Sequence, residues 1–292
     1  MNEKGKFRKI RRRHKLLAFL RLIRSSNLLM IGLGQLMVGL FILETPWWRD
    51  LHSGQQFFFL ILSTILVAAG GYIINDYYDV KIDVVNKPSR VVVGELISRR
   101  QTLVAHLLIN ACGLGFALLT NLRSFYVVIF CAFWLWLYSN RLKRLALIGN
   151  FSVALITAIS LYLPAILLPP SNPQLILFCA FAFWISLIRE IVKDMEDIRG
   201  DARHGCRTLP IVWGIRKTKS LLYGIGALFG STFLVATIWM PPIWIGFAIV
   251  LGVVLLLFYQ DLAKADTRKK FARLSLWCKW VMFCGILSML MI

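Results

Sequence analysis

Residues 61–83 read ILSTILVAAGGYIINDYYDVKID. An apolar run suited to a bilayer ends in three aspartates, Asp76, Asp79 and Asp83, within eight positions. A membrane-spanning helix needs about 20 mostly apolar residues. Windows of that kind recur near 22–43, 54–75, 102–120, 124–140, 146–169, 173–192, 219–238, 241–259 and 274–292. The 292 residues are 58% hydrophobic and only 16% charged, against roughly 25% charged in a soluble domain. The pattern predicts an all-α, polytopic membrane protein with nine transmembrane helices in one bundle. A basic segment, 1–20, precedes a single domain over 21–292.

The net charge of +20 would suit nucleic acid, but its distribution argues against that. Of 34 Lys and Arg, ten lie in residues 1–24, five in 81–100, three in 141–144, eight in 189–219 and five in 264–273. The opposite connections hold Arg49 and Arg123, and Lys279 falls inside the last span. This alternation follows the positive-inside rule for nine spans with a cytoplasmic N-terminus. KGKFRKIRRRHK at 4–15 therefore reads as topogenic charge at an anionic membrane surface and not as a nucleic-acid arm. Its first apolar run is a full span without a small-residue cleavage site, unlike a secretory signal. Trp47 and Trp48 beside Arg49 read as an interfacial belt.

The six cysteines are scattered and form no CxxC pair. They read as apolar core residues, outside any disulfide framework or zinc site. The four histidines are equally dispersed.

A second acidic segment, REIVKDMEDIRGD, occupies residues 189–201. Asp194, Asp197 and Asp201 repeat Asp76, Asp79 and Asp83 at a constant offset of 118 residues, and Lys193 stands opposite Asn75. Four spans separate the segments, so both helices cross in the same direction. This predicts a parallel duplication of four helices, with the ninth left over. Residues three and four apart share a helix face. Asn75, Asp79 and Asp83 thus form one stripe, with Asp76 beside it. Arg189, Lys193, Asp197 and Asp201 form the other, flanked by Glu190 and Asp194. Gly70 and Gly71 allow close packing just before the first motif.

Carboxylates at helix C-termini oppose the macrodipole, and on one face they repel each other. Lys81, Arg189 and Lys193 supply part of the counter-charge. Two matching oxygen-only clusters predict divalent cations, Mg²⁺ over zinc or copper. Asn75, Asp76, Asp79, Asp83, Asp194, Asp197 and Asp201 are the candidate metal ligands. Mg²⁺ commonly bridges carboxylates to substrate phosphates. A polar rim over an apolar interior suits a diphosphate with a hydrocarbon tail, such as a prenyl diphosphate. Acids at one rim of a parallel repeat do not suit a transporter, whose ionisable groups lie near the midplane.

At these residues the chain resembles the UbiA superfamily of intramembrane prenyltransferases. The likeness rests on N-x-x-x-D-x-x-x-D at Asn75/Asp79/Asp83, D-x-x-x-D at Asp197/Asp201 and nine spans. It implies that Asp79, Asp83, Asp197 and Asp201 are the catalytic carboxylates, holding Mg²⁺ and through it the diphosphate. Asn75 would be a metal or diphosphate ligand, and Lys193 would contact phosphate oxygen. NKPSR at 86–90 resembles the family's basic connection and points to Arg90. YSNRLKR at 138–144 points likewise to Lys143 as a diphosphate ligand. Arg207 follows the second motif much as Arg90 follows the first.

RLIRSSN at 21–27 resembles the family's entry to span one, where Arg24 and Asn27 would line the cavity or Arg24 would snorkel. Residues 84–100 and 202–217 are candidate cytoplasmic caps. FWLWLY at 133–138 and FAFW at 181–184 would shield a cation or merely pack. REIVKDMEDIRGD with GCRTLP looks most like the geranylgeranylglyceryl phosphate branch, implying a prenyl diphosphate donor and a prenylglyceryl phosphate-type lipid acceptor. An aromatic acceptor such as 4-hydroxybenzoate is the alternative. The resemblance places the protein in the cell membrane with its active site opening to the cytoplasm.

Overall fold

The computed structural model describes residues 17–43, 48, 50–168 and 174–292. The basic stretch 1–16, Trp47 and Arg49 of the expected belt, and the proline-rich turn at 169–173 lie outside the described residues. Among the described residues, nine helices are long and apolar enough to cross a membrane, and the only β pairing is two isolated bridges.

In chain order the helices are α1 (Ser25–Met37) with a π-helical extension Val38–Ile42, α2 (Leu51–Asn86), α3 (Arg99–Leu118), α4 (Leu122–Asn140) and α5 (Ile148–Leu167). They continue with α6 (Gln174–Arg203), α7 (Leu209–Trp239), α8 (Ile243–Ala263) and α9 (Arg268–Leu287). Local chemistry sets several starts. The Asp50 carboxylate accepts from Ser53 N at 2.8 Å to open α2. Ser98 and Gln101 form a reciprocal capping box on α3, and Asn121 accepts from Ser124 N at 2.7 Å on α4. Each satisfies backbone donors that a helix start leaves unbonded.

Two helix lengths differ from expectation in a way that positions the site. The apolar windows end near 75 and 192, whereas α2 runs unbroken to Asn86 and α6 to Arg203. The aspartates therefore lie within continuous helices and not beyond their ends. At 1.5 Å per residue, the 36 residues of α2 span about 54 Å and the 30 of α6 about 45 Å. Both exceed the ~30 Å hydrocarbon layer, which leaves room for their acidic ends outside it. A third difference lies at α7, which begins at Leu209 instead of near 219. Thr208 stands at its N-cap with Pro210 in the first turn, and Gly214 at φ 76° kinks the helix. That conformation is open to glycine at little cost.

The acid-bearing helices α2 and α6 pack against each other and organise the bundle. α2 also contacts α3, α4 and α1, while α6 contacts α5, α7 and α9. The two halves diverge at their fourth helices: α4 packs on α2, but α8 packs on α7 and α9. The largest core lies around α6, where Ile185, Ile188, Ile191 and Val192 are fully buried. Gln35 is wholly buried and ties three helices together, donating to Thr64 Oγ1 at 3.1 Å and to the Ser160 carbonyl at 2.7 Å. Without water, such bonds hold helices together while satisfying polar groups. Leu234, Ile238, Ile249 and Leu256 point outward and largely uncovered. That is the expected surface of a multi-pass integral membrane protein.

Candidate active site

The first acidic stripe forms as its spacing requires. Asn75 Nδ2 donates to Asp79 Oδ2 at 2.9 Å, one helical turn away. The other Asp79 oxygen is bonded by Lys143 Nζ, carried on the short 3-10 turn Leu142–Arg144 after α4. Asp76 points elsewhere: its Oδ1 accepts from Arg24 Nη2 at 2.9 Å, and Arg24 also lies 5.0 Å from the Tyr72 ring centre. Asn27 donates to the Tyr72 hydroxyl at 3.1 Å.

The second stripe is joined to the first by the residues that end α2. Asn86 Nδ2 donates to the Asp197 carbonyl at 2.9 Å, and Gly200 N donates to Asn86 Oδ1 at 2.8 Å. Lys87 Nζ donates to Asp197 Oδ2 at 2.7 Å and lies 3.7 Å from Glu196. Asn86 thus latches one motif to the other through two hydrogen bonds in a 3% exposed position. A Cβ on Gly200 would collide with the Asn86 amide. Gly200→Ala is therefore expected to break the latch and cost about 1–3 kcal/mol of stability. Chemistry that uses both motifs should fall about 100-fold, since misplacement by an ångström can do this. Thermal unfolding and activity of the purified variant check it, and wild-type values in both would refute the latch.

Several expected residues take other partners. Asp194 accepts from Asn150 Nδ2 of α5 at 2.8 Å. Lys193 Nζ lies 3.4 Å from Glu190 Oε2, and Arg189 Nη1 donates to Glu190 Oε1 at 2.7 Å. Arg207 is exposed, and its backbone N–H donates to the Arg144 carbonyl at 2.8 Å. This strand-like pairing ties the connection after α6 to that after α4. Arg90 ends the 3-10 turn Pro88–Arg90, and its side chain lies outside the described residues.

Beneath the acidic ends lies a cavity of about 220 Å³. Asn75, Tyr138 and Lys193 line its polar part, with Arg24 and Asn27 from the entry to α1. Ile31, Val67, Leu135, Phe178 and Phe181 give it an apolar wall. Of the aromatic runs singled out in the sequence, Tyr138 and Phe181 face this space, whereas Phe133 and Trp136 are outward and exposed.

Among the described residues, no three Asp, Glu, His or Cys side chains converge tightly enough to enclose one metal ion. The acids are instead spread along two facing helices with Lys143 and Lys87 among them. The donor set still fits Mg²⁺, which takes only one or two carboxylates and completes its shell with water and phosphate. Asp83 and Asp201 are half-buried, with no hydrogen-bond or ion-pair partner for either side chain among the described residues. Asp197 Oδ1 is buried without a donor. Unpaired anionic oxygens in such a place are costly unless a cation meets them.

Lys87, Asn86 and Asn150 are the site residues that sequence reasoning passes over. Lys87 had a signal: it continues the stripe Asn75, Asp79, Asp83 by another four residues once α2 is known to reach Asn86. Asn86 and Asn150 had none, because their partners lie 111 and 44 residues away in the chain.

The profile of the UbiA prenyltransferase family matches residues 13–285. A digeranylgeranylglyceryl phosphate synthase from Saccharolobus solfataricus is 30% identical over 83% of this chain and 83% of its own length. One from Thermococcus gammatolerans is 33% identical over 75% of this chain and 76% of its own. A solved structure from work on digeranylgeranylglyceryl phosphate synthase in membranes is 26% identical, covering 94% of this chain and 97% of that one with a TM-score of 0.61. A UbiA homologue from Archaeoglobus fulgidus, solved with GPP and Mg²⁺, superimposes at a TM-score of 0.69 over 93% of this chain and 99% of its own. At 18% identity it supports the fold alone.

Proposed function

The chain belongs to the UbiA prenyltransferase family, and from that premise we propose that it transfers a prenyl group from a prenyl diphosphate, such as geranylgeranyl diphosphate, to the hydroxyl of a prenylglyceryl phosphate-type lipid. The observation that carries this reading is the pair of latched acidic helix ends directly above an apolar cavity. Head and tail of one ligand need those two environments side by side. The acceptor follows from the names of the relatives and from the second motif.

Asp79, Asp83, Asp197 and Asp201 would hold Mg²⁺, with Asn75 beside them. Asp76 and Asp194, bonded to Arg24 and Asn150, support the framework instead. When bound, Mg²⁺ neutralises charge that builds on the diphosphate as the allylic C–O bond breaks. The chain's own cations would add to this: Lys193 directly, and Lys143 and Lys87 once the carboxylates of Asp79 and Asp197 that they now pair with are taken up by the metal. The C–O electron pair leaves with the diphosphate, and the acceptor hydroxyl oxygen bonds the freed carbon. Its proton passes to the departing diphosphate, the base nearest the reacting atoms. The apolar wall excludes water from the cationic carbon. Arg90 and Arg207 belong to connections over the site and would add positive charge there. We place these connections and the N-terminus on the cytoplasmic side, following the Lys and Arg distribution.

The test is an acceptor screen in proteoliposomes with radiolabelled geranylgeranyl diphosphate and Mg²⁺. Label is expected in geranylgeranylglyceryl phosphate and not in 4-hydroxybenzoate. Label in the aromatic acid alone would overturn the lipid acceptor.

A further inference from the structure

The cavity carries charge that a diphosphate clamp does not use. α6 presents Ser186, Arg189, Glu190 and Lys193 to it, a spacing that places all four on one helix face. Lys279 of α9 lines the same space. Glu190, 7% exposed, is the single carboxylate among the described lining residues, and it serves both Arg189 and Lys193. The lining is therefore cationic at a depth where net charge is expensive. Two donors there also lack partners. Ser186 Oγ, on a residue only 4% exposed, and Arg189 Nε are buried and make no hydrogen bond. Buried donors without acceptors, beside excess positive charge, describe a site for an anion.

The position separates this anion from the donor's diphosphate. Lys193 precedes Asp197 by one turn, and Arg189 precedes it by two, about 12 Å along the axis at 1.5 Å per residue. Lys193 thus stays with the diphosphate, while Arg189 and Ser186 lie deeper along the cavity that Lys279 also lines. A phosphate monoester meets the needs of that place: two charges, and several acceptor oxygens for a guanidinium fork and a hydroxyl.

We propose that Ser186, Arg189 and Lys279 bind the phosphate of the acceptor lipid and so select a phosphorylated acceptor over a neutral one. This rests on the glyceryl phosphate reading above. With Glu190 holding one edge of the Arg189 guanidinium, the remaining N–H groups are oriented before the lipid arrives.

The test varies donor and acceptor concentrations separately for wild type, Arg189→Gln, Ser186→Ala and Arg189→Lys. Geranylgeranylglyceryl phosphate and phosphate-free geranylgeranylglycerol serve as acceptors. Arg189→Gln is expected to raise the KM for the phosphorylated acceptor about 10- to 100-fold, the loss of one charged hydrogen bond. The KM for geranylgeranyl diphosphate should stay within about twofold, and preference for the phosphorylated acceptor should collapse. Ser186→Ala, a minimal change of volume, should shift the acceptor KM in the same direction, and Arg189→Lys should restore part of it. A rise in the donor KM instead, or an intact preference in Arg189→Gln, would overturn the subsite while leaving the acceptor reading standing. Failure of the wild-type protein to alkylate the phosphorylated acceptor would overturn that reading and the subsite with it.

Discussion

Replacing Asp79 or Asp197 by asparagine is expected to cut prenyl transfer by at least about 100- to 1,000-fold, the range seen when one preorganised electrostatic contact to a transition state is removed. The substitution keeps shape and removes charge. In the folded protein each of these aspartates already has a lysine: Lys143 on Asp79, and Lys87 on Asp197. Loss of the carboxylate therefore does two things. It would delete an oxygen of the proposed metal clamp, and it would leave a lysine free to bind the diphosphate in an unproductive position. The stability cost should be smaller, because both pairs lie at helix ends and remain partly accessible, with side chains 9–19% exposed. Activity in detergent or proteoliposomes, read beside thermal unfolding, separates the two effects. Near-wild-type turnover in both variants would remove the acidic clamp from the mechanism.

The comparison of sequence with structure turns on which partners are local. The bond between Asn75 and Asp79 spans one turn, so helix geometry alone makes it readable. The nine spans were readable for a similar reason, since hydropathy reports the requirement of the bilayer directly. The ends of α2 and α6 were not, because their charged last turns dilute any hydropathy window while the helix itself continues. That continuation brings Asn86 and Lys87 onto Asp197. No pattern along the chain announces a contact made by two helices brought together by tertiary packing. Asp76 and Asp194 illustrate the same limit. They fit the repeat as well as their neighbours do, yet Arg24 and Asn150 claim them from other helices. A repeated motif thus groups the carboxylates without showing which partner each one takes.

Metal removal is the second large effect. With divalent ions chelated by EDTA, turnover is expected to fall to background and to return when Mg²⁺ is added in excess. The reason is electrostatic. In the proposed clamp, Asp79, Asp83, Asp197 and Asp201 would line the approach of a diphosphate that is itself strongly anionic. Lys87 and Lys143 are already committed to two of these acids, so without a divalent cation like charges meet at short range. The apolar cavity alone does not offset that repulsion, since the hydrocarbon tail gains little on leaving a bilayer of similar character.

The most direct measurement is calorimetric titration of geranylgeranyl diphosphate into the purified protein, in Mg²⁺ and in EDTA, without acceptor. Binding in Mg²⁺ should be at least about 100-fold tighter than in EDTA, and the Asp79→Asn/Asp197→Asn double variant should bind weakly in both. Equal affinity with and without Mg²⁺ in the wild-type protein would contradict the account, because the two acidic helix ends would then not be holding the diphosphate through a metal.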